Sequence, residues 1–286
     1  TGSLYPTPSG TPSTAQIRFR ESADLAIETG DNSIFGNIRF NVGAGVNVNF
    51  DSDVYIERME YLNGRIYLKN HTLTIDQIWN INNGGGPFFN NDVANSSIIQ
   101  VNNTGIIANI LVFTDGKASD GGLRLKINGN TITEDSSTRV NNISPITFPV
   151  GFTTNGGTTI YSRHAQLKVK DFADDGYIRI NVVSGQLQTT DLAGGELLEH
   201  YWRVRHDGFT TLPTVAFRFY YRSADNGPAV DLPAGSTQEA NYVPGYVLDN
   251  SPFARYFESD PAQDLSDIVT SSFQAQTKYI TFNGTS

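Results

Sequence analysis

EHYWRVRHDGFTTLPTVAFRFYYR, residues 199–222, holds two runs that read as strands, with a polar, Pro-containing turn between them. In the first run His200, Trp202, Val204 and His206 share one face and Tyr201, Arg203 and Arg205 the other, because strand side chains alternate. In the second, Val215, Phe217, Phe219 and Tyr221 face one way, and Ala216, Arg218, Tyr220 and Arg222 the other. Period-2 alternation of aromatic and β-branched residues marks a sheet with one buried and one wet face. Trp202, Phe217 and Phe219 are the expected centre of the main core.

Composition points the same way. Of 286 residues only 17% are charged, 27 are Gly and 30 are Tyr or Phe, while blocks of helix-favouring Leu, Glu, Lys and Ala are nearly absent. An all-β fold follows. The formal net charge of −9 argues against nucleic acid or an anionic membrane surface as partner. With no Cys, disulfides and thiolate metal sites are excluded. No apolar run approaches the roughly 20 residues of a spanning helix, so no membrane insertion is expected.

Residues 1–14, TGSLYPTPSGTPST, read as an extended arm or linker and as a processed start or a segment cut from something longer. From Ala15 short strands follow one another. GNIRFNVGAGVNVNFDSDVYIERMEYLNGRIYLKNHTLTI (36–75) repeats a Gly or Asn turn followed by apolar residues at every second position. The inward sets are Ile38, Phe40 and Val42; Val46, Val48 and Phe50; Ile66 and Leu68; Leu73 and Ile75. Such spacing predicts a short-strand β-solenoid or sandwich-like region over 15–145. Within it, INNGGGPFFNNDVANSS (81–97) reads as a loop carrying Phe88 and Phe89, either tucked onto the core or exposed to a partner chain or sugar. Beyond a boundary near 140–147 the strands lengthen, and 146–286 reads as an antiparallel β-sandwich domain. PAQDLSDI (261–268) has the capping residues for one helical turn.

From Ile146 the chain runs ITFPVG, a polar loop, Tyr161 in a strand, YIRINVVSG, EHYWRV and VAFRFYYRSAD. This order resembles a β-sandwich module of repetitive cell-surface and secreted proteins of Bacteroidota, exported by the type IX system and often associated with gliding. The matching residues are Phe148, Pro149, Val150, Gly151, Tyr161, Trp202 and Arg203. The resemblance covers roughly 146–286, and phrases such as GRIYLKNHTLTI are similar to the β region that often precedes the module. It implies export, an extracellular or cell-surface location and a structural or adhesive role, and it supplies no catalytic residues. The ending TFNGTS (281–286) does not match the family's sorting domain, which leaves attachment to the cell open.

No nucleophile elbow, zinc-protease motif, P-loop or dinucleotide fingerprint occurs in the chain. His200 and His206 lie about 20 Å apart on one strand at ~3.3 Å per residue, too far to share a metal. Asp171, Asp174 and Asp175 in KDFADDGY, and Asp115 and Asp120 in TDGKASDGG, are the candidate metal ligands: acidic, Gly-containing turns of the kind that calcium uses. The same residues also suit ordinary hairpin turns. Glu196 with Glu199 and Glu57 with Glu60 are paired carboxylates by type, and each pair reads as solvated surface.

Lys168, Lys170, Arg179, Arg203, Arg205, Arg218 and Arg222 fall opposite the apolar sets, which gathers positive charge on one face of an acidic protein. That face is either solubilising charge with cross-strand acidic partners or a dock for an acidic surface of a neighbouring copy or domain. The leading expectation is a non-enzymatic extracellular structural protein, a subunit or repeat of a surface filament, sheath or adhesin. Its partners would be copies of itself or neighbouring domains. The alternatives are a module binding surface polysaccharide through Tyr201, Tyr220, Phe88, Phe89, Tyr242 and Tyr246, and, less favoured, a secreted polysaccharide-active enzyme.

Overall fold

The computed structural model describes residues 16–19, 25–27, 34–42, 46–63, 65–81, 88–90, 98–102, 112–127, 146–154, 159–170, 174–185, 200–210, 214–219, 245–248, 251–257 and 279–282. Among these the protein is all-β: strands without a helix. The phrase 36–75 decides the architecture. Its strands lie side by side with every second one: β1 (Gln16–Phe19), β3 (Ile34–Asn41), β5 (Val54–Asn63), β7 (Thr72–Ile81), β9 (Ile98–Val101) and β11 (Leu123–Ile127) form one parallel series. The strands between them, β2 (Leu25–Ile27), β4 (Asn47–Phe50), β6 (Arg65–Tyr67), β8 (Phe88–Asn90), β10 (Val112–Thr114) and β13 (Val150–Thr154), form a second. One strand from each sheet makes a coil, and the coils stack as a two-sided solenoid.

The register explains why so few residue types suffice. Parallel pairing places like on like, so Ile56 stands beside Ile75 and Ile75 beside Val101, while in the other sheet Ile27 stands beside Phe50 and Val48 beside Ile66. Each inward set read from the sequence is buried. The sheets meet through these ladders, with Phe40 and Phe50 packed edge to face at 6.2 Å. At the corners backbone bonds tie coil to coil: Asp51 N–H donates to Ile27 O at 3.0 Å, and Arg65 N–H to Val46 O at 2.9 Å. The tight corner at Lys69 and Asn70 takes φ values of 43° and 80°, a left-handed geometry that Asn tolerates better than most residues.

After β11 the pairing changes hand. β16 (Gly176–Ser184) pairs antiparallel with β11, and β17 (His200–Asp207) antiparallel with β16, which brings the first sheet to eight strands. β14 (Thr159–Ser162) pairs antiparallel with β13 and ends the seven-stranded sheet. A four-stranded antiparallel sheet holds β12 (Ile146–Phe148), β15 (Ala165–Lys170), β18 (Thr214–Phe219) and β21 (Tyr279–Phe282). A separate hairpin joins β19 (Gly245–Leu248) and β20 (Ser251–Phe257). Between β12 and β13 the chain changes sheets at Pro149 alone, which is buried. Its carbonyl accepts the Val112 N–H at 2.8 Å, and it brings no donor that would need a partner.

Three expectations look different in this frame. The two runs of 199–222 do not share a sheet: β17 extends the solenoid and β18 lies in the four-stranded sheet. They touch through side chains instead, Trp202 stacking on Phe219 with ring centroids 4.7 Å apart. Trp202 is only half-buried and sits against the core, whose largest enclosed side chains, Tyr61, Phe40 and Phe50, belong to the solenoid. The Phe217 side chain lies outside the described residues. Finally, the boundary at 145/146 divides neither sheets nor core, since strands from 146–286 enter all four sheets and one apolar cluster runs from Ile27 to Phe219. The helical turn expected at 261–268 falls outside the described residues.

Candidate functional site

The outer face of the eight-stranded sheet carries the densest polar chemistry of the described residues. Alternation puts it there. Leu123, Leu125 and Ile127 point inward from β11, as do Ile178, Ile180 and Val182 from β16, so Arg124, Lys126, Tyr177, Arg179 and Asn181 line the opposite side. A chain of hydrogen bonds crosses this face from strand to strand. Tyr55 OH donates to Asp76 Oδ2, and Asn102 Nδ2 donates to Asp76 Oδ1 at 2.6 Å. Gln100 Nε2 donates to Asn102 Oδ1 at 3.0 Å, and Arg124 Nη1 to Gln100 Oε1 at 2.6 Å. Arg124 Nη2 pairs with Asp207, and its guanidinium lies 3.9 Å over the Tyr177 ring. Burial and the Asp76 carboxylate hold the Tyr55 phenol above its ordinary range, so it remains a donor.

At the far end of this face three arginines occupy one cross-strand row. Arg124 is opposite Arg179, and Arg179 is opposite Arg205; beside them Arg203 is opposite Asn181. The turn between β10 and β11 lies against them because β16 runs beyond β11. Ser184 N–H donates to Gly116 O at 2.7 Å, and Asn181 Nδ2 to Lys117 O at 3.1 Å. Gly122 has φ +66° and passes so close to β16 that a side chain would overlap the Ile180 carbonyl oxygen. Arg203 and Arg205 clamp the turn from above. Arg203 Nη1 donates to Ala118 O at 2.7 Å, and Arg205 Nη2 reaches Ala118 O, Asp120 O and Asn181 Oδ1 at 3.1–3.3 Å.

The candidate metal ligands are placed as follows. Asp120 is fully buried, and its Oδ2 accepts the Lys117 N–H at 2.9 Å. Burial raises its carboxyl above the ordinary range, opposed chiefly by that backbone bond. Asp115 lies 3.8 Å from Lys117 Nζ in the same turn. Asp174 accepts from Thr210 Oγ1, and Asp175 is 3.4 Å from Lys126 Nζ. Asp171 lies outside the described residues, within which no three His, Asp or Glu side chains converge as an ion would require.

Of the basic residues, Arg179, Arg203 and Arg205 come together on the solenoid, whereas Lys168, Lys170 and Arg218 belong to strands of the four-stranded sheet. The expected single basic face is therefore divided between two sheets. Arg222 is outside the described residues. Phe88 and Phe89 lie in β8 rather than a loop, in register with Val112 and Phe113 of β10. Among the sugar-stacking candidates Tyr201 is half-buried; Tyr220 and Tyr242 lie outside the described residues, and Tyr246 is in β19. Sequence reading passed over Arg124; the signal was its polar position in the LRLKI alternation.

His200 is buried at 2% exposure, edge-on to Trp202 at 4.7 Å and 6.2 Å from Phe152. Burial pushes its imidazole well below the ordinary range, and the neighbouring Arg163 charge adds to this. Trp202 Nε1 donates to Arg163 O at 3.0 Å. His206, six residues on, is exposed.

Fold and site define an all-β, two-sheet solenoid with an arginine-rich outer corner. The chain matches no protein-family profile, and comparison with curated proteins and with solved structures gives no match.

Proposed function

We propose that the chain is a non-enzymatic extracellular structural protein, a subunit or repeat of a cell-surface filament, sheath or adhesin that self-associates. One observation carries this reading. The solenoid's two ends differ: after β11 and β13 both sheets finish in antiparallel strands, whereas at the other end both sheets finish in the parallel edge strands β1 and β2. Among the described residues nothing pairs with the outer edges of β1 and β2. A parallel edge is a template for a further coil. A strand supplied by a neighbouring copy would continue both sheets, and contact between unlike ends propagates as an open filament. The resemblance of residues 146–286 to surface-protein modules agrees with this reading.

Negative-stain electron microscopy of the purified protein, with sedimentation beside it, is the test. Fibres or ordered arrays are expected, and discrete monomers across the accessible concentration range overturn self-association. Deleting residues 1–14 separates two routes of assembly. If the arm supplies the added strand, the deletion abolishes fibres; unchanged fibres place the contact on the coil edges themselves.

A further inference from the structure

Like charges directly opposite one another destabilise a sheet. Here three stand in a row, Arg124, Arg179 and Arg205, with Arg203 alongside, in a protein of net charge −9. The outer members have acceptors: Gln100 and Asp207 for Arg124, and the carbonyls of the 115–122 turn with Asn181 for Arg205, the Ala118 carbonyl also taking Arg203. Arg179 stands between them and differs. No hydrogen bond or ion pair joins it to any described residue, and its Nε–H is closed off from solvent without an acceptor. Burial holds its guanidinium below the usual range; Asp207 opposes this, and Arg124 and Arg203 add to it. The Nε–H groups of Arg124 and Arg205 are likewise enclosed and without an acceptor. Among the described residues Arg179 thus faces an arginine on each side, and Asp207, the acid nearest the row, is paired with Arg124.

We infer that Arg179, standing between Arg124 and Arg205 with Arg203 diagonal to it, is the centre of an oxyanion site on the outer face of the eight-stranded sheet, taking the carboxylate or sulfate group of a ligand. A guanidinium presents paired N–H donors that match two oxygens of such a group, and a second arginine within one strand spacing, about 4.8 Å, supplies further donors and charge. Arg203 and Arg205 are held by the turn, so the site is built before the anion arrives. The same oxyanion chemistry is offered by a free inorganic ion and by an acidic sugar. The uncharged hydrogen-bonding strip of Gln100 and Asn102 that leads away from the row would lie under the next residues of a uronic-acid chain.

The test is thermal unfolding of the full chain titrated with sodium sulfate, sodium glucuronate and a glucuronate oligomer, each against sodium chloride at equal ionic strength. A saturable rise in melting temperature is expected with sulfate and glucuronate but not with chloride. In Arg179→Gln the apparent affinity falls by about tenfold or more, as loss of a charged bidentate contact requires. Arg65→Gln, an exposed arginine in β6 away from the row, removes the same charge and keeps the response. Without ligand Arg179→Gln melts no lower than the parent, because it relieves the like-charge row. Should it fail to fold, Arg179→Lys keeps the charge but not the planar donors, and it shows the same loss of affinity. Tighter binding of the oligomer than of glucuronate assigns the site to an acidic polysaccharide; equal binding assigns it to a small free anion. An equal response to chloride, or an undiminished one in both Arg179 variants, overturns the proposal.

Discussion

His200 sits where a titratable side chain is held neutral by its surroundings. Enclosed by Phe152 and Trp202 and near Arg163, it binds a proton more weakly in the folded chain than in the unfolded one. The group's stabilising contribution is therefore complete above the unfolded value of about 6.5 and is lost as pH falls from there toward the folded value. His164, lowered for the same reason of burial, acts in the same direction. The urea midpoint is expected to fall between about pH 7.5 and about pH 5.5. His200→Gln lowers stability at the upper end and flattens this slope, leaving the part due to His164. An unchanged slope in the variant would remove His200 as its source.

At the scale of the element, the parallel ladders show why strands so short suffice. A three- or four-residue strand such as β4 or β6 buries only one or two side chains, yet these stand in ladders with both neighbouring coils, Val48 between Leu25 and Ile66 and Ile66 between Val48 and Phe88. All-parallel sheets are usually covered on both faces. The parallel part of the eight-stranded sheet is covered on its inner face by the opposite sheet of the same coils, and its outer face carries the Tyr55–Asp76–Asn102–Gln100–Arg124 hydrogen bonds. The inner ladder thus carries the stability. Ile75→Ala, which empties a fully buried position between Ile56 and Val101, is expected to cost about 2–5 kcal/mol in urea unfolding. Thr74→Ala, one residue away on the outer face, should stay within about 0.5 kcal/mol. Comparable losses at both positions would contradict the assignment of faces.

For the whole molecule the asymmetry of the ends matters most. In β2 the Ile27 carbonyl accepts from Asp51 on the β4 side, so by alternation the Ala26 N–H points toward the open edge. Proline is tolerated on an edge strand whose N–H faces outward, and it removes the donor that a further strand would use. Ala26→Pro is expected to keep the parent's sedimentation coefficient as a monomer and its far-ultraviolet β spectrum, while fibres no longer form. Fibres indistinguishable from the parent's would move the assembly contact away from this edge.

The sequence by itself determined the class of fold and the inward faces, because side-chain alternation is local: Ile38 and Phe40, Val48 and Phe50, or Leu123 and Leu125 declare their side within a few residues. It also named the arginines at alternate positions of β16 and β17. It did not determine which strands pair. Backbone N–H and C=O groups are the same along every strand, so β5 accepts a parallel neighbour as readily as a hairpin partner until the inner side chains of both sheets are packed. That packing sent β17 to the solenoid and β18 to another sheet, although only six residues separate them in the chain. It also brought Arg124 beside Asp207, 83 positions away in the chain, and set Arg179 between two other arginines. The candidate site is a product of register, and register is fixed only when the core closes.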